Sequence, residues 1–267
     1  IMMSMAIEPK EPFEPAGQPL AVTSSDHPGL RGSFVSTDLR IARDEILAAS
    51  DRQVNLTTSI TAWRGERVNA QLALWSTTDI KHLRLEAKRG GVFPQNVQTH
   101  FVRYTRGAGG ALSGDILDTS ERLDLPAGTT RPAWVSIDVP RDANRGTYEI
   151  PVTAAADGGT RLSFHVKVDV LHATLPAPHD WHFHLDLWQN PYAIARYHRV
   201  KPWSPEHFAL LEPHMKMLAN AGEKVLTASI VHQPWGTQTY DPYDSMIDWI
   251  QDRDGTWRYD YTVFDQW

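Results

Sequence analysis

Apolar side chains recur at every second position through much of the first two thirds of the chain. Val68, Ala70, Leu72 and Leu74 alternate with polar neighbours, as do Leu83 with Leu85, the set Tyr148, Ile150 and Val152, and the set Phe164, Val166, Val168 and Val170. A period of two puts alternate residues on one face of a half-buried strand. Turn-forming clusters separate these runs at Gly90-Gly91, 107–110, 142–146 and 157–159. No stretch here carries a sustained 3.6-residue period. The pattern predicts an antiparallel β-sandwich over 20–174, preceded by a tail at 1–19 and followed by a Pro-bearing linker at 175–180.

Past the linker the pattern changes. Trp181 to Trp188 reads as a strand. Ser204-Pro205-Glu206 starts a helix: a hydroxyl to accept from free N–H groups, a proline whose missing N–H is harmless at the first position, and an acid at the positive end of the dipole. Phe208, Leu211, Met215 and Leu218 follow the helical period, Gly222 stands where a left-handed cap belongs, and Pro213 is expected to kink or split the helix. Lys224 to Val231 reads as a second strand, and Asp260 can cap a further helix. Strand–helix units in this order favour a parallel sheet, open and doubly wound or closed into a barrel. A complete (β/α)8 barrel needs roughly 200–250 residues, and 181–267 offers less than half of that. The expected fold is therefore an all-β sandwich followed by the first βα units of an incomplete (β/α)8 (TIM) barrel.

Composition sharpens the division. Seven of the ten tryptophans and six of the eight tyrosines fall after residue 180, and 14 of the 17 glycines before it. The 26 Lys+Arg against 32 Asp+Glu give a net charge of −6 without any basic cluster, which argues against nucleic acid as a partner. No apolar run reaches the roughly 20 residues of a membrane span. The absence of cysteine excludes disulfides and thiolate metal sites. Ile1 to Leu20 lacks the basic leader and apolar core of a signal peptide. A leader removed upstream would suit the expected periplasmic or secreted location.

Because strand side chains alternate, Trp181, Phe183, Leu185 and Leu187 share one face, while His182, His184, Asp186 and Trp188 share the other. In a barrel the second set faces the lumen, with Asp186 and Trp188 nearest the C-terminal rim where barrel active sites sit; at a sheet edge it would simply face water. His232 and Trp235, at the end of the second strand, and Tyr240 on the next loop flank the same mouth. Aromatic rings beside hydrogen-bonding groups suit a sugar, and equally suit interior packing. His182-x-His184 has the spacing of a metal-dependent amidohydrolase strand, whose other ligands would come from later strands. A third reading is a non-catalytic carbohydrate-binding sandwich.

The segment Phe183 to Arg196 (FHLDLWQNPYAIAR), with Lys201-Pro-Trp-Ser204, Thr227-Ala-Ser-Ile230, Gln238-Thr-Tyr-Asp-Pro242 and Tyr259 to Asp265 (YDYTVFD), closely resembles the start of the catalytic domain of glycoside hydrolase family 123. Pro132 to Pro140, running on to Arg145-Gly-Thr-Tyr148, resembles the end of the sandwich that precedes that domain. The resemblance implies a retaining exo-β-N-acetylgalactosaminidase with a (β/α)8 barrel and no cofactor, acting on glycans with a terminal β-linked N-acetylgalactosamine. In the mechanism it implies, the substrate's own 2-acetamido oxygen attacks the anomeric carbon, an Asp orients that group, and an adjacent Glu serves as acid and then base. The only Asp-Glu dipeptide here is Asp44-Glu45, inside the expected sandwich, where it reads as a solvated charge pair. No catalytic residue is therefore assigned, and the chain by itself is expected to be inactive, with the pair on a later barrel strand. Asp186, Trp188, Asn190, His232 and Tyr240 are the substrate-contact candidates. An unpaired strand edge makes association into an oligomer possible.

Overall fold

The computed structural model describes residues 29–44, 54–87, 96–106, 112–234, 241 and 244–267. The expected tail at 1–19, the turns at Gly90-Gly91 and 107–110, Glu45, Trp235 and Tyr240 lie outside the described residues. The chain divides into two compact units, Ile1–Leu175 and Pro176–Trp267.

The first unit packs two five-stranded sheets face to face. One contains β1 (Leu30–Val35), β3 (Arg67–Ser76), β8 (Thr129–Asp138), β5 (Val97–Arg106) and β6 (Leu112–Asp118), in that spatial order. The other runs β2 (Thr57–Arg64), β10 (Arg161–Thr174), β9 (Gly146–Ala155), β4 (Ile80–Ala87) and β7 (Arg122–Leu125). The alternating apolar sets meet between them: Leu72, Leu74, Val135 and Ile137 from one sheet face Leu83, Val152, Phe164, Val166 and Val168 from the other, all fully buried.

Two features depart from the expected antiparallel, half-buried strands. First, β2 pairs with β10 in parallel, from Thr57 opposite His165 to Ala62 opposite Val170. The two strands are distant in sequence, so no hairpin turn dictates their relative direction. Second, β3 is buried on both faces. Its outer residues Gln71, Ala73 and Trp75 lie under the segment 36–43, where Leu39 and Ile41 pack on Trp75 and the Gln71 amide donates to the carbonyls of Ser36 (2.7 Å) and Leu39 (2.9 Å). Tyr104, also fully buried, donates its hydroxyl to the Ile41 carbonyl at 3.0 Å from the next strand but one. Asp44 serves this covering segment by pairing with the buried Arg43 guanidinium at 2.9 Å.

In the second unit, Trp181–Trp188 and Lys224–Val231, expected as strands, form no strand ladder. Side chains take the backbone groups that a ladder would use. Glu223 accepts from the N–H groups of Leu187 (2.6 Å) and Val225 (3.0 Å). The Gln189 amide donates to the Leu187 and Val225 carbonyls and accepts from Thr227 N–H at 2.7 Å. A helix absent from the sequence reading, α1 (Pro191–His198), begins at Asn190, whose side chain accepts from Ala193 N–H. The expected helix, α2 (Pro205–Asn220), is capped by Ser204 through His207 N–H and runs unbroken past Pro213. Pro213 and Ala209 are both exposed, so the Ala209 carbonyl that loses its N–H partner is left to water.

Gly222 ends α2 at φ +99°, with Gly222 N–H bonded to Ala219 O and Glu223 N–H to Leu218 O, each at 3.0 Å. This is the paired-bond C-cap for which glycine is favoured. The hairpin of β11 (Asp248–Gln251) and β12 (Trp257–Asp260) and a short α3 (Thr262–Gln266) follow, with Asp260 accepting from Thr262 N–H.

Gly32 marks the tightest point of the sandwich. A Cβ there would stand 2.6 Å from Leu74 Cδ2 and 2.8 Å from Phe164 Cζ, both in the core. Gly32→Ala is expected to destabilise the first unit by about 1–3 kcal/mol through overpacking, read as a lower denaturant midpoint with an unchanged slope.

Candidate functional site

The second unit holds an open cavity of about 740 Å³, within the range of small-molecule sites. Its wall mixes two indoles, Trp203 and Trp249, with Tyr192, Lys201, His232, Asp244 and Asp248. The three aromatic residues come from different local devices: Tyr192 from the first turn of α1, Trp203 from the residue before the α2 cap, and Trp249 from β11.

Trp203 is the centre of the arrangement. Its ring packs edge-on against Tyr192 (5.4 Å), His207 (5.4 Å) and Trp267 (5.7 Å). Its backbone is left-handed, at φ +65°, a conformation that is strained for a bulky residue. His207, 0% exposed, holds it there: Nδ1 accepts from Trp203 N–H at 2.9 Å, while Nε2 lies 2.9 Å from the Pro191 carbonyl. That pair of contacts fixes the imidazole as the Nε2–H tautomer. Trp267 is anchored in turn by its indole N–H on the Thr227 carbonyl at 3.0 Å.

The polar side of the cavity is organised by Asp244. Its carboxylate lies 2.9 Å from His232 Nδ1, and its carbonyl accepts from the Tyr192 hydroxyl at 3.2 Å. Burial pushes the Tyr192 phenol up, and the nearby Asp244 and Asp248 charges add to this against a lowering contact with Trp203. Tyr192 therefore stays a neutral donor at physiological pH. Behind the wall, Arg196 of α1 makes a two-pronged ion pair with Asp241, whose carbonyl also receives the Asn190 amide.

The first unit has a smaller cleft of about 350 Å³ beside Arg84, Glu86, His100 and Asp118. Two ion pairs stand at it, Arg84 with Glu86 at 2.8 Å and Arg103 with Asp118 at 2.8 Å. Burial raises the Asp118 carboxyl, but the Arg103 and Ser120 hydrogen bonds outweigh it and hold it below the usual carboxylate range. The tryptophan-lined cavity is the better candidate, since it offers apolar faces as well as polar groups.

Comparison with known proteins decides the family. The model described as "Glycoside hydrolase 123 N-terminal domain" matches residues 34–156, and that described as "Glycoside hydrolase 123, catalytic domain" matches 188–267. The chain belongs to glycoside hydrolase family 123. A solved family 123 glycoside hydrolase from Clostridium perfringens, studied for glycolipid glycan hydrolysis, is 26% identical over 89% of this chain with a TM-score of 0.79. The chain spans 44% of that relative's length. The PapD-like domain 7 of human CEP192 (18% identity, 45% of this chain and 83% of that one, TM-score 0.28) and a FixG-related protein of Vibrio parahaemolyticus (9%, 53% and 95%, TM-score 0.29) are too distant to bear on fold or function. No curated protein matches the chain in sequence.

Of the residues expected to contact substrate, this family 123 structure brings His232 to the cavity wall. Asp186 and Trp188 are exposed and bonded to each other, the indole N–H donating to Asp186 Oδ2 at 3.3 Å, and neither lines the cavity. Asn190 acts as the α1 cap, and Tyr240 lies outside the described residues. Among the described residues, no group of three or more His, Asp or Glu side chains is gathered as a metal site around His182 and His184. Sequence reasoning missed Tyr192, Trp203, Asp244 and Trp249. Trp203 was within reach, because Lys201-Pro-Trp-Ser204 is one of the segments that carries the family resemblance.

Two outcomes test this geometry. His207→Phe keeps the bulk but leaves the Trp203 N–H without its acceptor, so the unit is expected to lose about 1–3 kcal/mol and much of its near-UV circular dichroism. In a tyrosine absorbance titration, Tyr192 is expected to ionise above the ordinary value of about 10, and Tyr192→Phe should remove one late-ionising phenol. Because the folded value is raised, the stability it represents is present below about pH 10 and is lost as pH rises through the folded value.

Proposed function

We propose that the chain is the N-terminal portion of a retaining exo-β-N-acetylgalactosaminidase, and that its second unit supplies the opening βα units of the catalytic barrel and part of the sugar-binding wall. The observation that carries this reading is the cavity itself, in a chain of family 123: two indoles in one lining with Lys201, His232, Asp244 and Asp248. A pyranose has the matching character, with apolar C–H faces and a rim of hydroxyls. The glycolipid-glycan hydrolysis described for the Clostridium relative supports the same substrate class. A periplasmic or secreted location would suit it.

The chemistry is substrate-assisted. The acetamido oxygen attacks C1 as the glycosidic C–O bond breaks, an acid protonates the departing oxygen, and water then opens the oxazoline-type intermediate. An Asp-Glu pair must orient the acetamido group and carry the proton. The only such dipeptide here, Asp44-Glu45, lies in the first unit, where Asp44 is committed to Arg43. The residues of this chain therefore bind and orient. Trp203 stacks on the ring, His232 and Asp244 take hydroxyls, and Tyr192 donates from the cavity wall. Asp186, Trp188, Asn190 and Tyr240 are the further contact candidates from the family segments.

The test uses the 267-residue chain with methyl N-acetyl-β-galactosaminide in an NMR titration and with 4-nitrophenyl N-acetyl-β-galactosaminide in an assay. Millimolar binding without turnover is expected, weakened about tenfold by Trp203→Ala, equivalent to about 1.4 kcal/mol. Turnover by this chain, or binding indifferent to both Trp203→Ala and His232→Ala, would overturn the assignment.

A further inference from the structure

The hairpin that supplies Trp249 to the cavity carries more aromatic surface than the cavity uses. In the β11–β12 register Trp249 stands opposite Tyr259, and Gln251 opposite Trp257, so these four share one face of the ribbon. Ring contacts run along it without a break: Trp257 to Trp249 at 6.4 Å, Trp249 to Tyr259 at 5.3 Å, Tyr259 to Tyr261 at 6.5 Å and Tyr261 to Phe264 at 6.4 Å. All five rings are exposed, Trp249 by 54% and Trp257 by 49%. Contiguous exposed aromatic surface is the kind through which proteins bind partners and ligands.

We propose that this aromatic face is a second glycan-binding surface, continuous with the cavity through Trp249, that holds the sugar units following the one in the cavity. The proposal rests on the reading of the cavity as a sugar site. Three observations select a neutral oligosaccharide as the occupant. Trp249 belongs both to the cavity wall and to the exposed row, so a chain leaving the cavity meets the row directly. The rings are amphipathic: among the described residues, the indole N–H groups of Trp249 and Trp257 and the hydroxyls of Tyr259 and Tyr261 have no protein hydrogen-bond partner, and are open to hydroxyl groups beside each apolar face. The hairpin is also acidic, with Asp248, Asp252, Asp254 and Asp260 against Arg253 and Arg258, and Arg258 is neutralised by Asp252 at 2.7 Å. An anionic lipid surface would be repelled, whereas an uncharged glycan is indifferent to that field. Edge-to-face contacts hold the rings in place before a ligand arrives, which lowers the ordering cost of binding.

The experiment compares methyl N-acetyl-β-galactosaminide with a neutral tetrasaccharide ending in the same β-linked sugar, on the wild-type chain and on a Trp257→Ala/Tyr261→Ala variant, neither residue lining the cavity. The wild type is expected to bind the tetrasaccharide about tenfold more tightly than the monosaccharide, equivalent to about 1.4 kcal/mol. The variant should lose that gain and keep its monosaccharide affinity. Trp257→Phe, which retains a stacking face, should keep most of the gain. Equal affinity of the wild type for both sugars, or a gain that survives the double substitution, would overturn the proposal. So would a variant whose only change is in sedimentation or in binding to phosphatidylcholine vesicles, which would assign the face to a second copy or to a membrane. Tetrasaccharide binding that is lost in the double variant, with no monosaccharide binding, would sink the cavity reading and leave the aromatic surface standing.

Discussion

The second unit hangs on one buried imidazole. His207 sits in the first turn of α2 and reaches two backbone groups, the Trp203 N–H before that helix and the Pro191 carbonyl at the start of α1. With one ring it sets the spacing of two helix starts and holds a tryptophan in a conformation that it would not keep unaided. That tryptophan lines the cavity and packs edge-on against Tyr192, whose hydroxyl in turn donates to the Asp244 carbonyl. A buried amide that loses such a partner forfeits far more than the net worth of one hydrogen bond.

The same economy of means recurs where the segments expected as strands form no ladder. Gln189 and Glu223 each serve several backbone groups across the pair of segments 187–189 and 223–227, doing with two side chains what strand pairing does with a row of peptide bonds. The alternation of Trp181 to Trp188 still sorts its residues by exposure only weakly, since Phe183, Leu187 and Trp188 are all open to solvent.

What was legible in the sequence was what local rules determine. The period of two in Leu72–Leu74 and Phe164–Val170 located the sandwich core, and Ser204, Pro205 and Gly222 located both ends of α2. What was not legible depended on distant partners. The parallel direction of β2 comes from its pairing with the distant β10, and the cover over Trp75 from the segment 36–43; alternation within a strand reports neither partner. Pro213 misled because one missing hydrogen bond on a solvent face is tolerated. The site was half legible: His232 came from its position at the end of an extended segment, but Asp244 and Tyr192 meet only through the folding of a loop onto α1. Asn190, placed among the contact candidates by its family segment, also caps α1 and donates to the Asp241 carbonyl.

The position of β10 in its sheet has a consequence for biosynthesis. It is the last strand of the first unit to leave the ribosome, yet it lies between β2 and β9, bonded to both. The sheet cannot close around its core until residues near Thr174 have emerged, so β2 must wait, exposed and unpaired, while about a hundred residues are added. Such long-range pairing is slow to form. The sandwich is thus completed late in synthesis, when the next unit is already following it out of the tunnel.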